Sequence, residues 1–235
     1  NTQSEKSGGL QELLSPAKRK GFIYGIIVAL FFTGCGVNLI VLFSTYIFQI
    51  GIEDPTDRTP QIFTFLVGFI NMGAAYITGL IIEKYGRKLL LLGGNVIITV
   101  ILGLITLSAA VSSWGYLLKY LTLLYMFFYS ITIGAVVFVY LSDILDEQGI
   151  GFAMLCSWGA TFLSTSTFPS MVDTIGLSAS FFFYFLWSIG NTWFTSVKLK
   201  ETKGMTKAEM LNLYREFDES EQPLLVELEG VRTHK

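Results

Sequence analysis

Six long stretches of this chain carry no charged residue: 21–52, 59–82, 89–118, 120–142, 148–172 and 174–197, interrupted only at Lys119 and in short loops. A helix rises about 1.5 Å per residue, so about 20 residues cross a hydrocarbon core about 30 Å thick. Each stretch is long enough. The runs are unbroken and rich in Leu, Ile and Phe, whereas barrel strands would alternate apolar and polar residues over segments of about ten. The expectation is an all-α membrane protein with six transmembrane helices, near 21–50, 60–82, 89–112, 117–145, 151–173 and 176–198. Composition agrees, because 52% hydrophobic residues against 14% charged is too apolar for an ordinary soluble domain.

The charges that remain are unevenly placed. Lys6, Lys18, Arg19, Lys20, Lys84, Arg87, Lys88 and seven Lys or Arg after Val197 fall on one side of a six-span weave, and only Arg58 and Lys119 fall on the other. This positive-inside asymmetry puts both termini on the cytoplasmic or equivalent face. Residues 1–20 read as a polar segment ending in a short interfacial helix, "LQELLSPAKRK", and 199–235 as an inside tail containing the helical "KAEMLNLYREF". Short loops between spans force antiparallel neighbours and one compact bundle.

Several functions are not supported. No Asp, Glu, Lys, Arg or His lies near the centre of a span, so proton relay and voltage sensing have no groups to use. The single histidine, His234, is in the tail, so no intramembrane histidine metal site is expected, and neither a cofactor nor a nucleic-acid partner is called for. No nucleophile, base and orienting group converge, and the chain is not read as an enzyme. Cys35 and Cys156 lie in apolar runs and read as packing residues. "FFFYFLW", Phe181 to Trp187, reads as a lipid-facing aromatic face.

Three short motifs carry more. In "GCGVN" two glycines and Asn38 interrupt an apolar run where lipid offers no hydrogen-bond partner. Either Gly34 and Gly36 let another helix approach closely, or the backbone opens there beside a cavity or under a covering protein. "EKYGRK", Glu83 to Lys88, occupies the inside loop after the second span; Gly86 permits a tight turn and Arg87 can bond carbonyls or carboxylates at neighbouring helix ends. "KETKG", with Glu201, follows the last span, and Thr206 stands where a helix cap would.

In this order and spacing the three motifs resemble the C-terminal half of the sugar porter family of the major facilitator superfamily, over about Leu10 to Met210. The resemblance implies one half of a major facilitator fold, built as a 3+3 inverted repeat, with the first span broken around Gly34 to Asn38. It implies a substrate cavity drawing on Thr33, Gly34, Gly36, Asn38, Asn71 and Phe138. It also implies an inside gate drawing on Glu83, Gly86, Arg87, Glu201 and Asp143, which stands where a glutamate is usual. Departures are equally informative. Phe32 and Thr33 replace paired glutamines, Leu42 and Phe43 an aromatic pair, and "GAVVF" a Gly-Pro motif ending in Trp. An acid is replaced by Ser130, an Asn-Trp pair by Thr161 and Phe162, and an arginine by Ile150. A polyol is held by several aimed hydrogen bonds worth about 0.5–3 kcal/mol each, so ordinary hexose affinity should be lost.

Two functions stay open. One is transport of a small polar solute, acting with a second six-helix bundle that is an N-terminal half, a second copy or another membrane subunit. The other is a transport-inactive half-porter serving as an accessory subunit of a larger membrane complex, with the mitochondrial inner membrane as a candidate site and an absent initiator Met suiting removal of a presequence. Both place the chain in a lipid bilayer. Both require a partner, because bare asparagines facing lipid cost free energy.

Overall fold

A computed structural model of the chain describes residues 13–49, 57–111 and 114–214. The polar N-terminal stretch, most of the loop 50–56, and the tail beyond Tyr214 with His234 lie outside the described residues. Among the described residues every regular element is helical: α1 (Pro16–Gly34), α2 (Val37–Gln49), α3 (Thr59–Tyr85), α4 (Arg87–Ala110), α5 (Gly115–Tyr129), a π-helical turn (Ser130–Gly134), α6 (Ala135–Ile144), α7 (Glu147–Ile175), α8 (Leu177–Lys198) and α9 (Lys207–Asn212).

The helix ends follow from local chemistry. Gly86 and Gly176, at φ +86° and +83°, take backbone conformations that residues with a Cβ rarely adopt, and so end α3 and α7 abruptly. Asp146 starts α7 by accepting the Gly149 N–H at 2.9 Å. The helix therefore begins at Glu147 rather than near 151. Residues 16–20, expected in a separate interfacial helix, continue into the first span because nothing between Lys20 and Gly21 breaks the hydrogen-bond ladder. Thr206 and Glu209 form a reciprocal capping box at α9.

Among the described residues three helical segments, Lys18–Gln49, Arg87–Ala110 and Tyr116–Ile144, are long and apolar enough to cross a membrane. A fourth counts if Thr59–Ala74 and Tyr76–Tyr85, bent by 43°, are one span. The bend falls where the Thr78 hydroxyl bonds back to the Ala74 carbonyl at 2.9 Å. Helices α7 and α8 have the length, at 29 and 22 residues, but hydroxyl-rich stretches such as Ser164–Thr167 dilute their apolar character. Six spans were the expectation; composition singles out three or four.

The centre of the bundle mixes apolar packing with hydroxyl and amide contacts. Tyr125, Phe48, Ile98, Leu102 and Ile105 are fully buried. Helix α4 meets α8 through a buried network: Asn191 Nδ2 donates to Asn95 Oδ1 at 2.8 Å, and Asn95 Nδ2 to Thr195 Oγ1 at 3.0 Å. Thr99 pairs with Ser188 at 2.7 Å one turn away. Small polar residues let these helices approach while satisfying each other, as interhelical contacts in lipid require. The outside is inverted relative to a soluble protein, with Phe65, Tyr76 and Phe162 at least 70% exposed. Such a surface needs lipid or protein against it.

Candidate functional site

Two regions collect the residues that the sequence singled out, one at the junction of α1 and α2 and one at the junction of α3 and α4. At the first, α1 stops at Gly34 and α2 restarts at Val37, with Gly36 at φ +83° between them. The glycines also make room. A Cβ on Gly34 would lie 1.9 Å from Trp187 Nε1, and one on Gly36 would lie 3.4 Å from the Tyr184 ring. Both readings of "GCGVN" therefore hold at once: the helix opens, and α8 packs closely against the opening.

Asn38 is the second residue of α2 and is half-buried; its Nδ2 donates to Thr161 Oγ1 on α7 at 3.2 Å. Asn71 on α3 is exposed, and its Oδ1 accepts from Ser130 Oγ at 3.0 Å. Among the described residues each amide has one end engaged and one end without a hydrogen bond: the Asn38 carbonyl can accept, and the Asn71 amino group can donate. Phe138 is 47% exposed and stands edge-on to Phe32, ring centres 5.3 Å apart. The cavity role expected of Thr33 does not match its surroundings. It is buried between α1 and α7, paired with the Ser157 hydroxyl and bonded to the Ala29 carbonyl at 3.3 Å. Gly34 and Gly36 likewise face α8 rather than open space.

At the junction of α3 and α4, Glu201 sits on the N-terminus of α4. Its carboxylate accepts the backbone N–H groups of Arg87 at 2.9 Å and Lys88 at 3.1 Å, where a helix leaves unpaired donors and partial positive charge. It also takes the Thr202 and Lys203 N–H groups, at 3.0 and 3.1 Å. Arg87 Nε lies 3.4 Å from Asp143 Oδ2, an ion pair rather than a hydrogen bond, since that buried Nε has no hydrogen-bond partner among the described residues. Asp143 in turn accepts from Thr202 Oγ1 at 2.7 Å. Gly86 is required by proximity as well as by φ, because a Cβ there would lie 2.8 Å from Glu201 Oε2. Lys203 Nζ closes the group by donating to the Lys84 carbonyl at 2.7 Å. Glu83 is exposed and makes no hydrogen bond or ion pair with this cluster among the described residues.

The tail is fixed to the same end. Tyr214 and Tyr140 pair their hydroxyls at 2.7 Å, and the Lys200 N–H donates to Tyr214 at 2.8 Å. An open pocket of about 490 Å³ lies nearby, bounded by Phe22, Leu145, Leu211 and Tyr214, with the Lys18–Asp146 ion pair at 3.3 Å on its wall. It is remote from Asn38 and Asn71.

Residues 1–214 match the model of the family described as "Sugar (and other) transporter". The chain belongs to that family. Among its curated relatives within this transporter family, the glucose transport protein of Synechocystis sp. is 26% identical over 191 residues, covering 74% of this chain and 40% of the relative. The arabinose-proton symporter of Bacillus subtilis is 27% identical over 215 residues, covering 89% of this chain and 46% of the relative. Among solved structures, the major facilitator proton:xylose symporter XylE bound to 6-bromo-6-deoxy-D-glucose overlays with a TM-score of 0.74 at 22% identity, over 82% of this chain and 42% of that one. The fold is thus that of the major facilitator superfamily, and the family is one of membrane transporters rather than enzymes. The chain spans less than half the length of these relatives.

Residues that only the folded chain brings into view are Tyr125, Tyr129 and Ser157, and Trp187, read from the sequence as lipid-facing, sets its indole against Gly34. Tyr125 and Tyr129 are spaced by four on one helix face, a signal present in the sequence that carries no direction until the neighbouring helix is in place.

Proposed function

We propose that this chain is the C-terminal six-helix bundle of a sugar-porter-like facilitator, two inverted triplets of spans with both termini on the positive-inside face. It works with a second six-helix bundle to move a small polar solute across a bilayer. The carrying observation is the pair of half-engaged carboxamides. Asn38, beside a break in its helix, and Asn71, beside a π-helical turn, each keep one polar end uncommitted where lipid would leave it unsatisfied. Irregular backbone at this depth suits a surface that lines a cavity.

On this reading one acceptor and one amino donor meet the solute, and the Phe32–Phe138 pair walls it on an apolar side. That wall favours a solute with fewer hydroxyls than a hexose. The Arg87–Asp143 pair and the Glu201 cap form the inside closure, holding α4, α6 and the tail together until the two bundles rock apart. Uptake of labelled glucose, arabinose and xylose by host cells with and without the protein tests transport. Asn71→Ala is expected to lower uptake of whichever solute moves while leaving assembly intact. Unchanged uptake removes Asn71 from the binding site.

The apolar wall also favours a second reading, the transport-inactive accessory subunit, in which the same face is buried permanently against another protein of a larger assembly, for instance in the mitochondrial inner membrane. No solute would then cross, and Asn71→Ala would weaken assembly instead.

A further inference from the structure

We infer that Tyr125 and Tyr129 are positioning residues: their hydroxyls hold the break of the first span and tie it to the π-helical turn, so that Asn38 and Asn71 are set by one clamp. An unbroken helix would send the Gly36 N–H to the Phe32 carbonyl; it goes to Thr33 instead, at 3.4 Å. The Phe32 carbonyl accepts from the Tyr129 hydroxyl at 3.3 Å, and the Cys35 carbonyl from the Tyr125 hydroxyl at 2.7 Å. The Cys35 thiol completes the set by donating to the Phe31 carbonyl at 3.1 Å. Carbonyls freed by the break are thus satisfied by side chains, two of them from α5, as backbone polar groups away from water demand.

The same turn of α5 reaches the second asparagine. The two tyrosine rings stack with centres 5.8 Å apart and 18° between their planes, and both are buried. Tyr129 is followed directly by Ser130, which opens the π-helical turn and donates to Asn71 at 3.0 Å. Thr78 bonds the Ile131 carbonyl of that turn at 2.8 Å. Asn38 lies three residues beyond Cys35, on the first turn of α2. Moving the break therefore pulls on the tyrosines, and moving the tyrosines shifts the partner of Asn71. That this sets solute geometry rests on the functional reading above; the coupling itself is a property of the bundle.

Amide hydrogen exchange on the whole chain, purified with whatever partner accompanies it, tests the clamp without any solute. Tyr125→Phe and Tyr129→Phe keep the rings and remove only the hydroxyls. Each is expected to raise exchange at 31–40 and at 130–134 together, by about three- to ten-fold, with 95–105 in α4 unchanged. Thr78→Val, which removes a hydroxyl bonded to the π-helical turn and to Ala74 of its own helix but to nothing at the break, is expected to raise exchange at 31–40 as well. Tyr116→Phe, on an exposed ring, is the control and should move neither segment. A rise confined to 31–40, a uniform rise that includes α4, or no rise overturns the clamp. Uptake by the Asn71→Ala variant reads the solute role separately, so the two ideas fail independently.

Discussion

The carboxylate of Glu201 caps the helix that Arg87 begins, accepting its backbone N–H at 2.9 Å while the Arg87 side chain turns to Asp143. The acid is thus spent on the main chain rather than on the guanidinium. Glu201→Gln keeps the shape and removes the charge, so it should lower stability by about 1.5–3 kcal/mol, the range for hydrogen bonds to an ionised group. Denaturant unfolding of the purified protein measures it. A neutral result would show that the cap contributes only position.

Gly86 and Gly34 should respond differently to the same substitution. Gly86→Ala meets both a positive φ and the Glu201 carboxylate, so about 1–3 kcal/mol should be lost and Glu201→Ala should not restore it. Gly34→Ala meets only the Trp187 indole, and its cost of about 1–3 kcal/mol should shrink when Trp187→Leu is added. A double-mutant cycle on each pair distinguishes strain from collision.

The buried Asn95–Asn191 pair makes a third prediction. Asn95→Leu alone leaves the Asn191 amino group with only the Cys35 sulfur at 3.4 Å and should cost about 1–3 kcal/mol, whereas Asn95→Leu with Asn191→Leu should recover part of it. Thermal unfolding of the three variants decides. A double-variant loss equal to the sum of the two single losses would mean the pair is not coupled.

Tyr214 makes a pH prediction outside the spans. Burial pushes its phenol above the ordinary tyrosine range, so folded Tyr214 keeps its proton at a pH where the unfolded residue loses it. Its stability contribution is complete below about pH 10 and is lost as pH rises beyond. Tyr214→Phe should flatten the alkaline fall in unfolding temperature, and an unchanged fall would assign it to other groups.

Much of this was legible because single residues impose it. Glycine at 86 can be read as a tight turn from the chain alone, since few other residues take such backbone, whereas the break at Gly36 and the place of Asp143 beside Arg87 and Glu201 come only from the resemblance to the family. What Glu201 bonds to was not legible, because a motif names residues and not atoms. Thr33 was misjudged because a hydroxyl that pairs helices and one that lines a cavity look alike until Ser157 is beside it. The π-helical turn at Ser130 has no local signature either. It becomes visible only once Thr78 and Asn71 on α3 are seen to serve it.

The claim that matters most is that this bundle works as one of a pair. Native mass spectrometry of the protein extracted gently from its own membrane measures that directly. The account predicts one copy of this chain joined to one further six-helix bundle, whether a separate chain, a second copy or the remainder of the same polypeptide. A chain standing alone in lipid, or held at fixed stoichiometry within a large assembly, would contradict it.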